Sequence, residues 1–117
     1  MPQLISEPTM IPVPGGKTIA EYVGRVKTGD SDISVAVMHA PAGWSEPEQC
    51  PAFDEITVVI TGSIEVECEG KTLTVGAGQA LITRAGEKVR YLTKEDAHYV
   101  AICLPAFSTE LANRDDE

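Results

Sequence analysis

Residues 43–62 read GWSEPEQCPAFDEITVVITG, and the rest of the chain is best read outward from them. The first half, Trp44 to Pro51, is a loop stiffened by Pro47 and Pro51, and it carries the only tryptophan. From Glu55 the period becomes two. Ile56, Val58 and Ile60 alternate with Glu55, Thr57 and Val59, the pattern of a half-buried strand. Gly62-Ser63 then forms a tight turn into a second alternating run, Ile64, Val66 and Cys68 against Glu65, Glu67 and Glu69. Three carboxylates on one strand face repel unless that face meets water. The apolar trio is therefore expected to point inward and the acids to be solubilising.

The same pattern continues in both directions. Ile33, Val35 and Val37 alternate upstream, and Lys71–Val75, Ala80–Thr83, Val89–Thr93 and Tyr99–Leu104 follow downstream, separated by Glu69-Gly70, Gly76-Ala77-Gly78 and Ala85-Gly86. Many short strands at regular spacing predict an all-β sandwich or closed barrel. Residues 1–18 contain Pro2, Pro8, Pro12 and Pro14, which exclude a helix and predict an extended arm. Residues 19–107 form the barrel in this reading. Residues 108–117 form a polar tail that frays or makes one helical turn. At 117 residues the chain is one domain.

Charge narrows the function classes. The net charge is −9, and the interval between Lys27 and Lys71 holds nine acids and no lysine or arginine. Such a field repels duplexes and anionic membranes and attracts cations, so neither nucleic acid nor membrane is expected as a partner. No apolar run reaches the roughly 20 residues that span a bilayer, and the N-terminus has no secretory pattern, so a cytoplasmic location is the expectation. Cys50, Cys68 and Cys103 are odd in number and lack CxxC spacing, which reads as free thiols. No neighbouring His or Lys favours a thiolate at Cys50.

Gly43, Glu55 and Gly62 fall where the first motif of the cupin superfamily has its glycines and glutamate, and Gly70, Gly78 and Gly86 fall as in its second motif. The chain thus resembles a small cupin, a jelly-roll or double-stranded β-helix barrel. The three metal-histidine positions of that pattern are Gln49, Pro51 and Val89 here, so only Glu55 of the usual ligand set remains. The stretch from Asp54-Glu55 to Pro105-Ala106-Phe107 is similar to the ethanolamine-utilisation cupins, which also lack the histidine cage. An acetate-kinase activity is associated with that group. It is not expected here, because the chain has no Gly-rich loop with a lysine to cradle phosphate.

The resemblance places the ligand inside the barrel, near Gln49, Pro51, Glu55 and Val89. Period two then puts Thr57 beside Glu55, and Tyr91 beside Val89. Glu55 is the expected general base, its carboxyl raised by an apolar setting, and Tyr91 the expected acid or orienting group. The alternative role for Glu55 is to pair with Arg84 or Arg90. Gln49, Trp44, Glu46, Glu48, Thr57 and Val89 are the expected ligand-binding residues, with Trp44 beside two carboxylates suited to an amine or other cation. Trp44 as a plug at one end of the barrel is the competing reading. His39 and His98 are expected at the rim. No cofactor is expected, with a divalent ion held by carboxylates and Gln49 as the alternative. The expected ligand is a small polar or cationic molecule, the expected assembly a homodimer paired through edges and the arm. Proton-transfer chemistry, plain ligand sensing and an atypical metal site stand as three functional readings.

Overall fold

A computed structural model describes residues 1–113 of the protein. Among the described residues nine strands form two antiparallel sheets that face each other as a jelly-roll barrel. The strands are β1 (Thr9–Ile11), β2 (Thr18–Val23), β3 (Ser34–Ala40), β4 (Asp54–Thr61), β5 (Ser63–Cys68), β6 (Lys71–Gly76), β7 (Ala80–Thr83), β8 (Arg90–Leu92) and β9 (Ala97–Leu104). The large sheet runs β1-β2-β3-β9-β4-β7 and the small one β6-β5-β8. A short helix, α1 (Thr109–Ala112), follows, capped by Ser108 and ended by Asn113 in the left-handed region. The expected helical turn in the tail is thus present at its start, while residues 114–117 lie outside the described residues.

The arm is not wholly extended and free. Thr9–Ile11 pair with Ile19–Glu21, so the arm covers the β2 edge of its own sheet. Gly15 and Gly16 both have φ near +85° (+89° and +83°), a turn that side-chain-bearing residues resist, and it sends the chain straight into β2. Gly62 is more constrained still. Its φ is +76°, and a Cβ there would lie 2.0 Å from the Asp96 carbonyl oxygen, so the β4–β5 turn admits only glycine.

Inward residues alternate as the pattern requires. Thr57 and Val59 of β4, Ile64 and Val66 of β5, and Ala97, Tyr99, Ala101 and Cys103 of β9 are buried. The acids of β5 do face away from the core, but they are not simply solvated. Glu65 pairs with Lys94 at 3.5 Å and Glu67 with Arg90 at 2.9 Å. The outer face of the large sheet is also apolar. Val35, Ile102, Ile56 and Ile82 stand in one cross-strand row, and Val37, Val100, Val58 and Ala80 in the next. Phe53, Cys103, Phe107, Leu111 and Ala112 close one end of the barrel, with the Phe53 and Phe107 rings edge to face at 5.9 Å.

Candidate functional site: a lysine inside the barrel

The loop from Gly43 to Gln49 runs antiparallel along β8 as an irregular strand. Gly43 donates its N–H to the Thr93 carbonyl, Glu46 to that of Tyr91, and Gln49 and Val89 exchange both backbone bonds at 2.8 and 2.9 Å. Pro47 has no N–H to donate, which breaks this pairing into isolated bridges at Ser45 and Gln49. This pairing brings the loop acids next to Tyr91.

The interior cavity is lined by Lys17, Glu46, Gln49, Glu55, Tyr91 and Tyr99 as its polar groups, with Ile19, Met38, Phe53 and Phe107 as apolar wall. Its open volume is about 20 Å³, room for about one water. Gln49 Nε2 donates to Glu46 Oε1 at 2.9 Å. Thr57 Oγ1 donates to Glu55 Oε2 at 3.3 Å. The Tyr91 hydroxyl and Thr83 Oγ1 share a hydrogen bond of 3.0 Å.

Lys17 was assigned to the arm by the sequence reading, and the structure puts its side chain in the barrel. Its Nζ lies 3.8 Å from Glu46 Oε2, and the two side chains are only 8% and 7% exposed. The same ammonium stands 4.8 Å from the centre of the Trp44 ring and 5.8 Å from that of Tyr99. Burial is the largest influence on this ammonium and lowers its pKa. The combined attraction of Tyr99, Glu46 and Glu55 outweighs it and holds the pKa above the ordinary lysine value. Lys17 is therefore a charged donor at neutral pH, unsuited to act as a nucleophilic amine. Burial, then the charge of Glu55, pushes Tyr91 well above its ordinary value. Burial also raises Tyr99, against the opposing pull of Lys17. Both phenols stay protonated at neutral pH and able to donate, so the charges that hold Lys17 there are those of Glu46 and Glu55.

Of the residues singled out from sequence, Glu46, Gln49, Glu55 and Tyr91 line one cavity. Trp44, Thr57 and Val89 are buried behind it, Trp44 and Val89 within the main core. The cation that meets Trp44 is the chain's own Lys17. Glu48 is a correction: it is exposed, pairs with Lys88 at 3.5 Å and does not line this cavity, because the loop carries one extra residue between the Ser45–Leu92 and Gln49–Val89 bridges and the shifted parity turns Gln49 inward in its place. Arg84 pairs with Asp54 at 3.8 Å and Arg90 with Glu67 at 2.9 Å. His39 and His98 stack at 4.4 Å on the outer face, beside Asp96 and Thr61. Cys103 is buried, whereas Cys50 and Cys68 are partly exposed, and all three are free.

The sequence reading missed Lys17 and Tyr99. Lys17, Ile19 and Glu21 share one parity, and Ile19 and Glu21 are buried inward residues of β2, so extending the period by one step exposes the lysine. Glu21 serves a separate purpose, accepting the N–H groups of Val26 and Lys27 at 2.9 Å each.

The two-sheet barrel has the RmlC-like cupin fold. The signature of the family described as Ethanolamine utilisation protein EutQ matches residues 47–110. The chain belongs to that family. An ethanolamine utilization protein Q from Salmonella typhimurium LT2 superposes with a TM-score of 0.63 at 21% identity, over 78% of this chain and 71% of that one. An RmlC-like cupin from Shewanella frigidimarina superposes with a TM-score of 0.75 at 10% identity, over 89% of each chain. A Myxococcus xanthus protein named Endoribonuclease YbeY is 41% identical over 106 residues, covering 89% of this chain and 36% of that protein. The chain thus spans about a third of the length of this curated relative.

Proposed function

We propose that the barrel binds a small polar molecule without a metal and transfers a proton on it, with Glu55 as base and Tyr91 as acid or orienting donor. The observation that carries this reading is the convergence of Glu55, Tyr91, Gln49 and the Lys17 ammonium, with Glu46 and Tyr99, on one cavity whose remaining wall is apolar. Such a wall excludes competing water and strengthens each polar contact. A ligand larger than one water displaces the Lys17 side chain or the arm that carries it. That narrowness favours a second reading, a ligand-binding or sensor cupin in which the same residues bind and no bond changes. The test is a thermal-shift screen of small hydroxy, keto and amino compounds on the whole chain, followed by turnover of each hit. Under the first reading Glu55→Gln abolishes turnover and leaves the fold intact. A hit that binds without turning over, with Glu55→Gln changing affinity alone, selects the second.

The ribonuclease name belongs to a protein nearly three times as long as the matched segment, and no such activity is proposed here. A net charge of −9 opposes nucleic-acid binding. Among the described residues no helix is long and apolar enough to cross a membrane. The free cysteines accord with the cytoplasm, where thiols stay reduced.

The reading also includes a homodimer, built on the outer face of the large sheet. That face carries no charge across its two central rows and leaves Val37, Ile60, Ile82 and Leu104 exposed. Five of the six strands, at about 4.8 Å spacing and about 17 Å length, give a flat area of about 400 Å². Two such faces together bury about 800 Å², the size of a weak dimer interface rather than a standard one. A second copy fits because the two central rows of the face are apolar and uncharged, while a chain of this net charge repels its like elsewhere.

A further inference from the structure

The cupin pattern implies a metal ion where Gln49, Pro51, Glu55 and Val89 stand, and those four positions do not fit one. Val89 and the ring of Pro51 offer no donor atom. Among the described residues no group of three or more His, Cys, Asp or Glu is arranged to hold a metal ion. The cavity contains a different cation. Lys17 Nζ lies 3.8 Å from Glu46 Oε2, lines the same space as Gln49 and Glu55, and feels the charge of both carboxylates.

We propose that Lys17 is the resident cation of this barrel, its ammonium taking the electrostatic place of a metal ion and closing the interior to exogenous cations. Three observations combine here. The position is built: Gly15 and Gly16 turn the chain so that Lys17 leaves the arm and enters the barrel. The cation is held by an aromatic wall as well as by acids, over Trp44 and beside Tyr99. The acids come from the segment devoid of basic residues, so the balancing charge has to arrive from another part of the chain. A buried carboxylate, Glu46, beside a half-buried one, Glu55, is costly without a cation, and this lysine answers that cost as a metal does elsewhere. The consequence for recognition reverses the expectation from net charge. The interior prefers neutral or oxygen-rich ligands that accept from Lys17, Tyr91 and Tyr99, and cationic ligands meet a site already filled. The inference does not depend on turnover, since it concerns which charges the cavity holds.

The experiment is a calorimetric titration of Mn²⁺ into metal-free wild type, Lys17→Ala and Lys17→Ala/Glu55→Gln. Manganese is the probe because the vacated site would offer hard oxygen donors. The expected result is one Mn²⁺ per chain in Lys17→Ala, at least tenfold tighter than any binding to wild type, and lost in the double variant. Wild type binding one Mn²⁺ as tightly as Lys17→Ala overturns the proposal, as does a folded Lys17→Ala that gains no site. Where Lys17→Ala folds poorly, it is refolded with n-propylammonium, the fragment the substitution removes, or with 1-propanol. Rescue by the cation alone supports the proposal. Equal rescue by both, or rescue by neither, overturns it.

Discussion

Replacing Lys17 by methionine removes one charge and keeps nearly the same volume, which isolates electrostatics from packing. The ion pair with Glu46 is 8% and 7% exposed, so water screens it little and the discount due to a surface pair does not apply. Breaking a buried pair by deleting one partner costs about 3–5 kcal/mol, because the other charge stays buried and uncompensated. Methionine regains apolar contact with Trp44 and Tyr99 and places the expected loss near the lower bound, about 3 kcal/mol. At roughly 4 °C per kcal/mol for a domain of this size, Tm falls by about 12 °C. The assay is urea and thermal unfolding of wild type, Lys17→Met, Lys17→Met/Glu46→Gln and Lys17→Met/Glu55→Gln. Neutralising either carboxylate in the methionine background should return a substantial part of the loss. A Lys17→Met protein as stable as wild type, or double variants whose losses simply add, would refute the reasoning.

Other predictions follow from the same geometry. Stability should decline as pH rises above about 10. Lys17, Tyr91 and Tyr99 all have folded pKa values above their unfolded ones, so the stabilisation they provide is complete below the unfolded values and is lost as pH rises through the folded ones. Tyr91→Phe should flatten that decline in a pH series of urea midpoints, and an unchanged slope would contradict the assignment. Gly62→Ala should lose more than about 1 kcal/mol by equilibrium unfolding, the cost of strain at a positive φ with backbone in the way. Val58→Lys, on the outer sheet face, should convert a dimer to a folded monomer by light scattering, and a monomeric wild type would remove that interface. Among compounds found to turn over, Glu55→Gln should lower kcat at least a hundredfold, whereas a tenfold or smaller change would exclude Glu55 as the base.

The fold was legible because its signals are local and redundant. Alternation in β4, β5 and β9, with glycines at positions 62, 70 and 78, predicts strand, turn and face together, and each agrees with the others. The short strand β1 was not legible, since its pairing depends on the neighbouring β2 edge and its three residues are bracketed by Pro8 and Pro12. The inward direction of Tyr99 was left open because one bulge reverses a strand face. A bulge does occur where β4 meets β9, between Val59 and Thr61, and it leaves Tyr99 inward. In the cavity, Gln49, Glu55 and Tyr91 were reached through the resemblance to the cupin motifs, and Glu46 through its place in the Trp44 loop. Lys17 was not, because an ion pair across 29 residues of separation leaves no periodic trace, and a lysine after Gly-Gly reads as exposed arm. The concentration of acids was visible, yet it read as a site waiting for a cation when the chain carries its own. Glu48 and Glu46 look alike in sequence, and strict period two would put both on one face; the extra residue between the Ser45 and Gln49 bridges separates the outward from the inward acid.

The most direct measurement is elemental analysis of the intact protein as purified without chelator, run beside Glu55→Ala and Lys17→Ala prepared in the same way. The account predicts wild type with far less than one transition or alkaline-earth metal per chain, and Lys17→Ala with a metal content raised above it. One metal per wild-type chain, lost in Glu55→Ala, would contradict the claim that Lys17 supplies the barrel's cation.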